Sequence, residues 1–118
     1  MIASHNADVP SRTITMIEGK PMGGLMTLKA LLAGDSMTLL EVRLRSGAAS
    51  VVHTHSHESL IYVVNGKLRV TIGAESHVLC PGDACRNAAG VPHAIEALEE
   101  SLFVEVKSPA PDLDAFLV

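Results

Sequence analysis

Aromatic side chains are nearly missing from this 118-residue chain, which has no tryptophan, one tyrosine and two phenylalanines. That leaves too little material for a stacked aromatic cage around a ligand. Basic charge is also short, with 9 Lys and Arg against 13 Asp and Glu and a net charge of −4. Without a basic block to neutralise phosphates, nucleic acid and acidic membranes are not expected partners. No apolar run approaches the ~20 residues that span a bilayer. The opening "MIASHNADVP" lacks the charged and apolar regions of a signal peptide, so a cytoplasmic protein is expected. Cysteine is scarce too: Cys80 and Cys85 flank the turn "PGDA". In a reducing compartment they read as free thiols, and two alone make no structural zinc site.

What remains is an ordinary globular composition, 47% apolar and 19% charged, of a length suited to one domain. Short stretches of strand character recur between turn signals: 12–18, 25–33, 36–45, 59–65, 67–72, 76–79, 93–97 and 101–107. "PMGG", "AGD", "SGAA", "NGK", "GAE", "PGD" and "AAGVP" punctuate them. Many short, evenly spaced strands indicate an all-β sandwich or barrel. The segment "LMTLKALLA" has helix-forming residues, but its shortness and its flanking Gly24 and Gly34 favour a strand. Asn65-Gly66 is the strongest hairpin signal and predicts that 59–64 and 67–72 pair as neighbours. Residues 1–10 read as a flexible arm and 11–108 as the β-domain. In the tail 109–118, Leu113, Phe116 and Leu117 are expected to dock on the barrel or on a partner subunit.

Chemistry concentrates in "VVHTHSHES", where His53, His55 and His57 follow at every second residue. Alternation along a strand puts them on one face, roughly 6.7 Å apart. Two of them can share one ion at metal–nitrogen distances of about 2.0–2.1 Å, but three span roughly 13 Å and need a sharp curl. A pair plus a ligand from elsewhere is the better arrangement, with His93 of "AGVPHAIEA" the candidate.

These residues resemble the two motifs of the cupins. Gly47, His53, His55 and Gly66 fall in the first, with Ser59 at the position of its glutamate. Pro81, Gly82, Asp83, Gly90, Val91, Pro92 and His93 fall in the second. Within that family "HTHSHES" and "FVEVKSPAPD" are most similar to small single-domain cupins of the pectin-degradation type. The resemblance implies a jelly-roll β-barrel with a divalent metal (Fe, Zn, Ni, Mn or Cu) on His53, His55 and His93. Serine is a poor ligand, so three histidines plus water are expected. It also implies a small-molecule substrate and a homodimer, its surface supplied by edge strands and by the apolar tail.

Around that centre, His57 or Glu58 is the candidate to move a proton, and Arg86 the candidate to hold a substrate carboxylate. Strand parity turns Glu58 away from the histidines unless a bulge brings it round. Tyr62, of opposite parity to His55, is expected in the core. His77 is expected on the surface, His5 has no role, and the five methionines read as core filler. The favoured function is a metal-dependent isomerase, lyase or dioxygenase acting on a small carboxylate or sugar-acid-like molecule. The alternatives are a non-catalytic binding or sensor cupin, and a barrel that serves only oligomerisation.

Overall fold

In a computed structural model that describes residues 2–118, the chain forms an all-β jelly-roll barrel. Among the described residues the strands are β1 (Arg12–Ile17), β2 (Lys20–Ala33), β3 (Thr38–Leu44), β4 (Ala49–Ser50), β5 (Glu58–Asn65), β6 (Leu68–Ile72), β7 (Glu75–Leu79), β8 (Ala84–Asn87), β9 (His93–Ala97) and β10 (Ser101–Ser108). One helical turn, α1 (Leu113–Phe116), closes the chain. No helix among the described residues is long and apolar enough to cross a membrane.

The strands hydrogen-bond in the order β7-β6-β9-β4-β2-β3-β10-β5-β8, with β1 added to β2. Every pairing is antiparallel. β2 joins the two halves: Met26–Ala33 pair with β3, and Met22 and Gly23 pair with β4. The two end strands, β7 and β8, are linked by the turn Cys80–Asp83. There the Asp83 carboxylate accepts the Cys80 N–H at 2.8 Å and the Cys80 carbonyl accepts the Asp83 N–H at 2.9 Å.

Alternation along the strands sets the core. Leu40, Val42 and Leu44 of β3, Ile61 and Val63 of β5, Leu68 and Val70 of β6, and Phe103 of β10 all point inward. Each such side chain, fully buried, contributes about 1.5–3 kcal/mol. Tyr62 does not join them; it is 53% exposed. Its parity relative to His55 is as expected, but the barrel has a single interior, so the histidine face and the core face are the same.

Three other sequence expectations are corrected. Asn65-Gly66 does not form a hairpin, because β5 is already flanked by β10 and β8 while β6 lies between β7 and β9. Asn65 has negative φ and only Gly66, at +92°, is left-handed. Any side chain at 66 would collide with Ser101 and the Glu100 carbonyl. The tight hairpin with two positive φ values is instead Glu18-Gly19, at +48° and +76°, between β1 and β2. "PMGG" lies inside β2, and "SGAA" runs into the short β4 at Ala49. Finally, residues 51–57 are not a regular strand; within them only His53 makes a ladder contact.

The N-terminal segment is tied to the barrel at Asn6, and the C-terminal tail packs on it. Lys29 donates to the Asn6 carbonyl and side chain at 2.9 and 2.8 Å, and Asn6 donates to Glu41. In the tail, Phe116 and Leu117 are buried in the core cluster and Leu113 packs against it. The Phe116 and Val118 carbonyls accept the N–H groups of Glu18 and Gly19 at 2.7 and 2.8 Å.

Candidate metal centre

His53 and His93 are joined through their backbones: each N–H donates to the other's carbonyl, at 3.0 and 2.9 Å. This bridge places the first histidine segment against the start of β9 and holds the two rings 4.4 Å apart. His55 follows two residues after His53, its carbonyl fixed by the Gly90 N–H at 2.9 Å. Its ring lies 4.5 Å from that of His53 and 5.0 Å from that of His93. One nitrogen from each of the three lies within 4.8 Å of the others. The bent, non-strand path of residues 51–57 lets two of the three neighbouring histidines converge with His93.

The rings are oriented as ligands need to be. Nδ1 of His53 lies 2.6 Å from the Val51 carbonyl and Nδ1 of His93 lies 3.1 Å from that of Val91. A carbonyl can only accept, so each Nδ1 carries the proton and each Nε2 keeps its lone pair. His55 Nδ1 is buried with no hydrogen bond, and the Glu18 carboxylate stands 3.3 Å away. Burial, helped by the Lys107 charge, pushes the His55 pKa from 6.5 down to about 2. Burial also lowers His93, against a raising effect from the Val91 hydrogen bond. Neutral imidazoles are the form that binds a metal.

The three rings open into a cavity of about 50 Å³ with mostly apolar walls, among them Met22, Ile61, Val70, Phe103 and Phe116. Its other polar walls are Ser50, Asn87, Glu105 and Lys107. Asn87 donates to the Ser59 hydroxyl at 3.3 Å, so the residue at the usual carboxylate position is buried and held on its β8 neighbour.

The remaining sequence candidates lie elsewhere. His57 is buried and stacks on His55, with ring centres 4.7 Å apart and planes 9° apart. It stays outside the three-ring cluster, and its Nε2 accepts from Lys107 Nζ at 3.2 Å. Glu58 and Arg86 form an ion pair at 3.4 Å on the outer surface, 52% and 66% exposed. Strand parity sends both outward and brings their neighbours Ser59 and Asn87 inside. His77 is exposed beside Glu75.

Sequence reasoning missed Glu105 and Lys107. On β10 the residues facing inward are Ser101, Phe103, Glu105 and Lys107. The Glu105 carboxylate lies 3.4 Å from Lys107 Nζ, and both residues are buried. The signal was the period-two pattern of "SLFVEVK", in which one of the two faces carries both charges. Phe116, also missed as a site residue, lies 4.9 Å from the His55 ring and 5.2 Å from that of His57. It also receives the Lys107 ammonium over its face at 5.0 Å.

Residues 40–106 match the family model Cupin_2, the cupin domain. The chain is a cupin. Its fold is similar to KdgF from Halomonas sp., with a TM-score of 0.81 and 25% identity over 93% of this chain and 96% of that one. An RmlC-like cupin from Shewanella frigidimarina also superposes at a TM-score of 0.81, at 21% identity over 95% and 94% of the two chains. In sequence, this cupin is 31% identical over 80 residues to oxalate decarboxylase OxdC of Bacillus subtilis. That match covers 64% of the cupin and only 21% of the larger enzyme. The two-motif reading of a small single-domain cupin thus holds.

Proposed function

We propose that this cupin is a metal-dependent enzyme acting on a small polar molecule of carboxylate or sugar-acid type, with a divalent ion held by His53, His55 and His93. The observation that carries this reading is the convergence of three imidazoles on one cavity, two of them oriented by backbone carbonyls. The buried, unpartnered His55 Nδ1 fits the same picture, because a small rotation of Glu18 would give it the acceptor that its neighbours already have. Three neutral nitrogen ligands suit Fe, Zn, Ni, Mn or Cu.

A divalent ion in such a site supplies Lewis acidity to a coordinated oxygen. The protein's part falls to residues around the cavity. The Val51 and Val91 carbonyls keep His53 and His93 in the metal-binding tautomer. The apolar walls exclude water and strengthen every charge interaction inside. Glu105 is the carboxylate that faces the cavity, and we assign it, rather than Glu58, the proton transfer. His57, occupied by Lys107 and Phe116, supports the cluster from behind.

The test is elemental analysis of protein purified without a tag or added metal, beside a His53→Ala/His93→Ala variant. Near-stoichiometric metal in the wild type and none in the variant supports the reading. No uptake of Fe(II), Zn, Ni or Mn by either removes it. A non-catalytic binding or sensor cupin is the second reading, favoured by serine at position 59. Turnover of no carboxylate or sugar acid by metal-loaded protein would select it.

The same proposal includes a homodimer. The tail does not supply its surface, since Phe116 and Leu117 are buried in their own chain. The outer face of β5 and β10 does: Leu60, Tyr62 and Val64 are exposed there, and Leu60 and Tyr62 stand opposite Val106 and Val104. Light scattering at the monomer mass would remove the dimer. A cytoplasmic setting suits the two free cysteines.

A further inference from the structure

Ser59 and Lys107 are direct cross-strand partners in the β5–β10 ladder, and both face inward. Side chains in such a pair stand about 4.5–5.5 Å apart at Cβ. The position where the cupin motif places a carboxylate is therefore occupied by a short hydroxyl, on the strand register opposite the buried Lys107. Lys107 has one carboxylate partner, Glu105, at a long 3.4 Å, and its other near neighbours are neutral: the His57 ring at 3.2 Å and the Phe116 face. His57 in turn stacks on His55, so Lys107 is one imidazole away from the cluster.

Charge and size then point the same way. With three neutral histidines, a divalent ion would bring its full charge into an apolar cavity that carries no compensating side-chain ligand. The Glu105–Lys107 pair is neutral overall, and the Glu18 carboxylate meets the cluster only through the ring of His55, 3.3 Å from its Nδ1. The cavity is small, about 50 Å³, which suits a compact ligand. Lysine carries three donors, and Lys107 lines this cavity.

We infer that a small carboxylate ligand fills the place of the absent side-chain carboxylate, its anionic group held by the Lys107 ammonium at the cavity wall, beside the His53–His55–His93 centre. Lys107 is the residue that selects an anion here. The inference rests on the proposed metal centre for the ligand's other contacts, but the anion contact itself is made by Lys107, whose ammonium the ligand shares with Glu105.

Acetate is the direct probe, being the end of a glutamate side chain, and acetamide is its neutral counterpart. Co(II)-loaded protein in carboxylate-free buffer is titrated with each while visible absorption is followed. The Co(II) dissociation constant is measured by chelator competition with and without acetate. Acetate, and not acetamide, is expected to change the spectrum and to tighten Co(II) by about tenfold or more. Lys107→Met removes the acetate effect while Co(II) still binds. Ser59→Glu binds Co(II) tightly on its own and no longer responds to acetate. Because Lys107→Met leaves Glu105 without its partner, Lys107→Met/Glu105→Gln, which keeps the cavity neutral, is measured beside it, with folding checked by circular dichroism. An acetate effect undiminished in a folded Lys107 variant overturns the inference, as does no effect of acetate on the loaded wild type. If the wild type takes up no Co(II), the metal reading fails. Acetate is then titrated into metal-free protein by NMR: saturable binding lost with Lys107→Met sustains the anion site, and its absence overturns it.

Discussion

Lys107 holds the Nε2 of His57 at 3.2 Å, and that contact separates the third histidine of "HTHSH" from the other two. His57 stacks on His55 but gives its lone pair to an ammonium rather than to the cluster. Its replacement by alanine is therefore expected to leave metal content unchanged while lowering stability by about 2–3 kcal/mol, from a lost buried hydrogen bond and a new void. Elemental analysis and urea unfolding of the same preparation check both halves. Loss of metal with unchanged stability would make His57 a ligand instead.

The same burial sets how the metal-free protein responds to acid. His57 falls from 6.5 to about 4 because burial and Lys107 oppose its charged form, while Glu105 favours it. His55 moves further in the same direction. Between pH 6.5 and about 4 the unfolded chain therefore binds more protons than the folded one, and stability falls as pH drops through that window. Above pH 6.5 this contribution is fully present. Urea midpoints of metal-free protein from pH 8 to pH 4 are expected to fall mainly below the ordinary histidine range, about 6.5. His57→Asn is expected to flatten the profile. A wild-type profile that is level across the window would contradict the buried neutral histidines.

Much of this was readable in the residues. The paired motifs around His53, His55 and His93 led to the fold and to the three-ring cluster, because spacing along two segments constrains a barrel strongly. Parity also separated Ser59 from Glu58 correctly. What the residues hid were relations across strands. Glu105 and Lys107 sit among Leu102, Val104 and Val106, and apolar residues on alternate positions ordinarily mark the inner face. Here the inner face carries the ion pair and the valines face outward, since β10 lies under the polar end of the cavity. Asn65-Gly66 misled for a related reason: the dipeptide fits a hairpin locally, but both sides of β5 were already taken.

Gly66 supports a sharper test of that corrected topology. In a two-residue hairpin, alanine at this position would meet only the strain of positive φ. Here its Cβ would also run into Ser101 and the Glu100 carbonyl. Gly66→Ala is therefore expected to cost more than Gly82→Ala, whose φ is also +92° but which has nothing within 4 Å. A cost of about 1–2 kcal/mol is expected for Gly82→Ala, and a further 1 kcal/mol or more from overpacking at position 66, roughly. Denaturant midpoints of the two variants give the comparison. Equal losses would argue that β5 and β6 pair after all.

Phe116 tests whether the C-terminal turn is part of the site. Its ring touches His55, His57 and the Lys107 ammonium, and its carbonyl is tied to the Glu18 N–H. The Glu18 carboxylate also stands 3.3 Å from His55 Nδ1, without a hydrogen bond, so the β1–β2 turn and the tail meet the same imidazole from two sides. Phe116→Ala should cost about 3 kcal/mol through the void it leaves, and should open the cavity to solvent beside His55. Metal bound to the variant is then expected to pass to a chelator faster than metal bound to the wild type. Phe116→Leu, which refills most of the volume without the aromatic face, should recover much of the stability and part of the retention. If Phe116→Ala unfolds at the wild-type midpoint and releases metal at the wild-type rate, the tail is packing on the barrel without covering the centre.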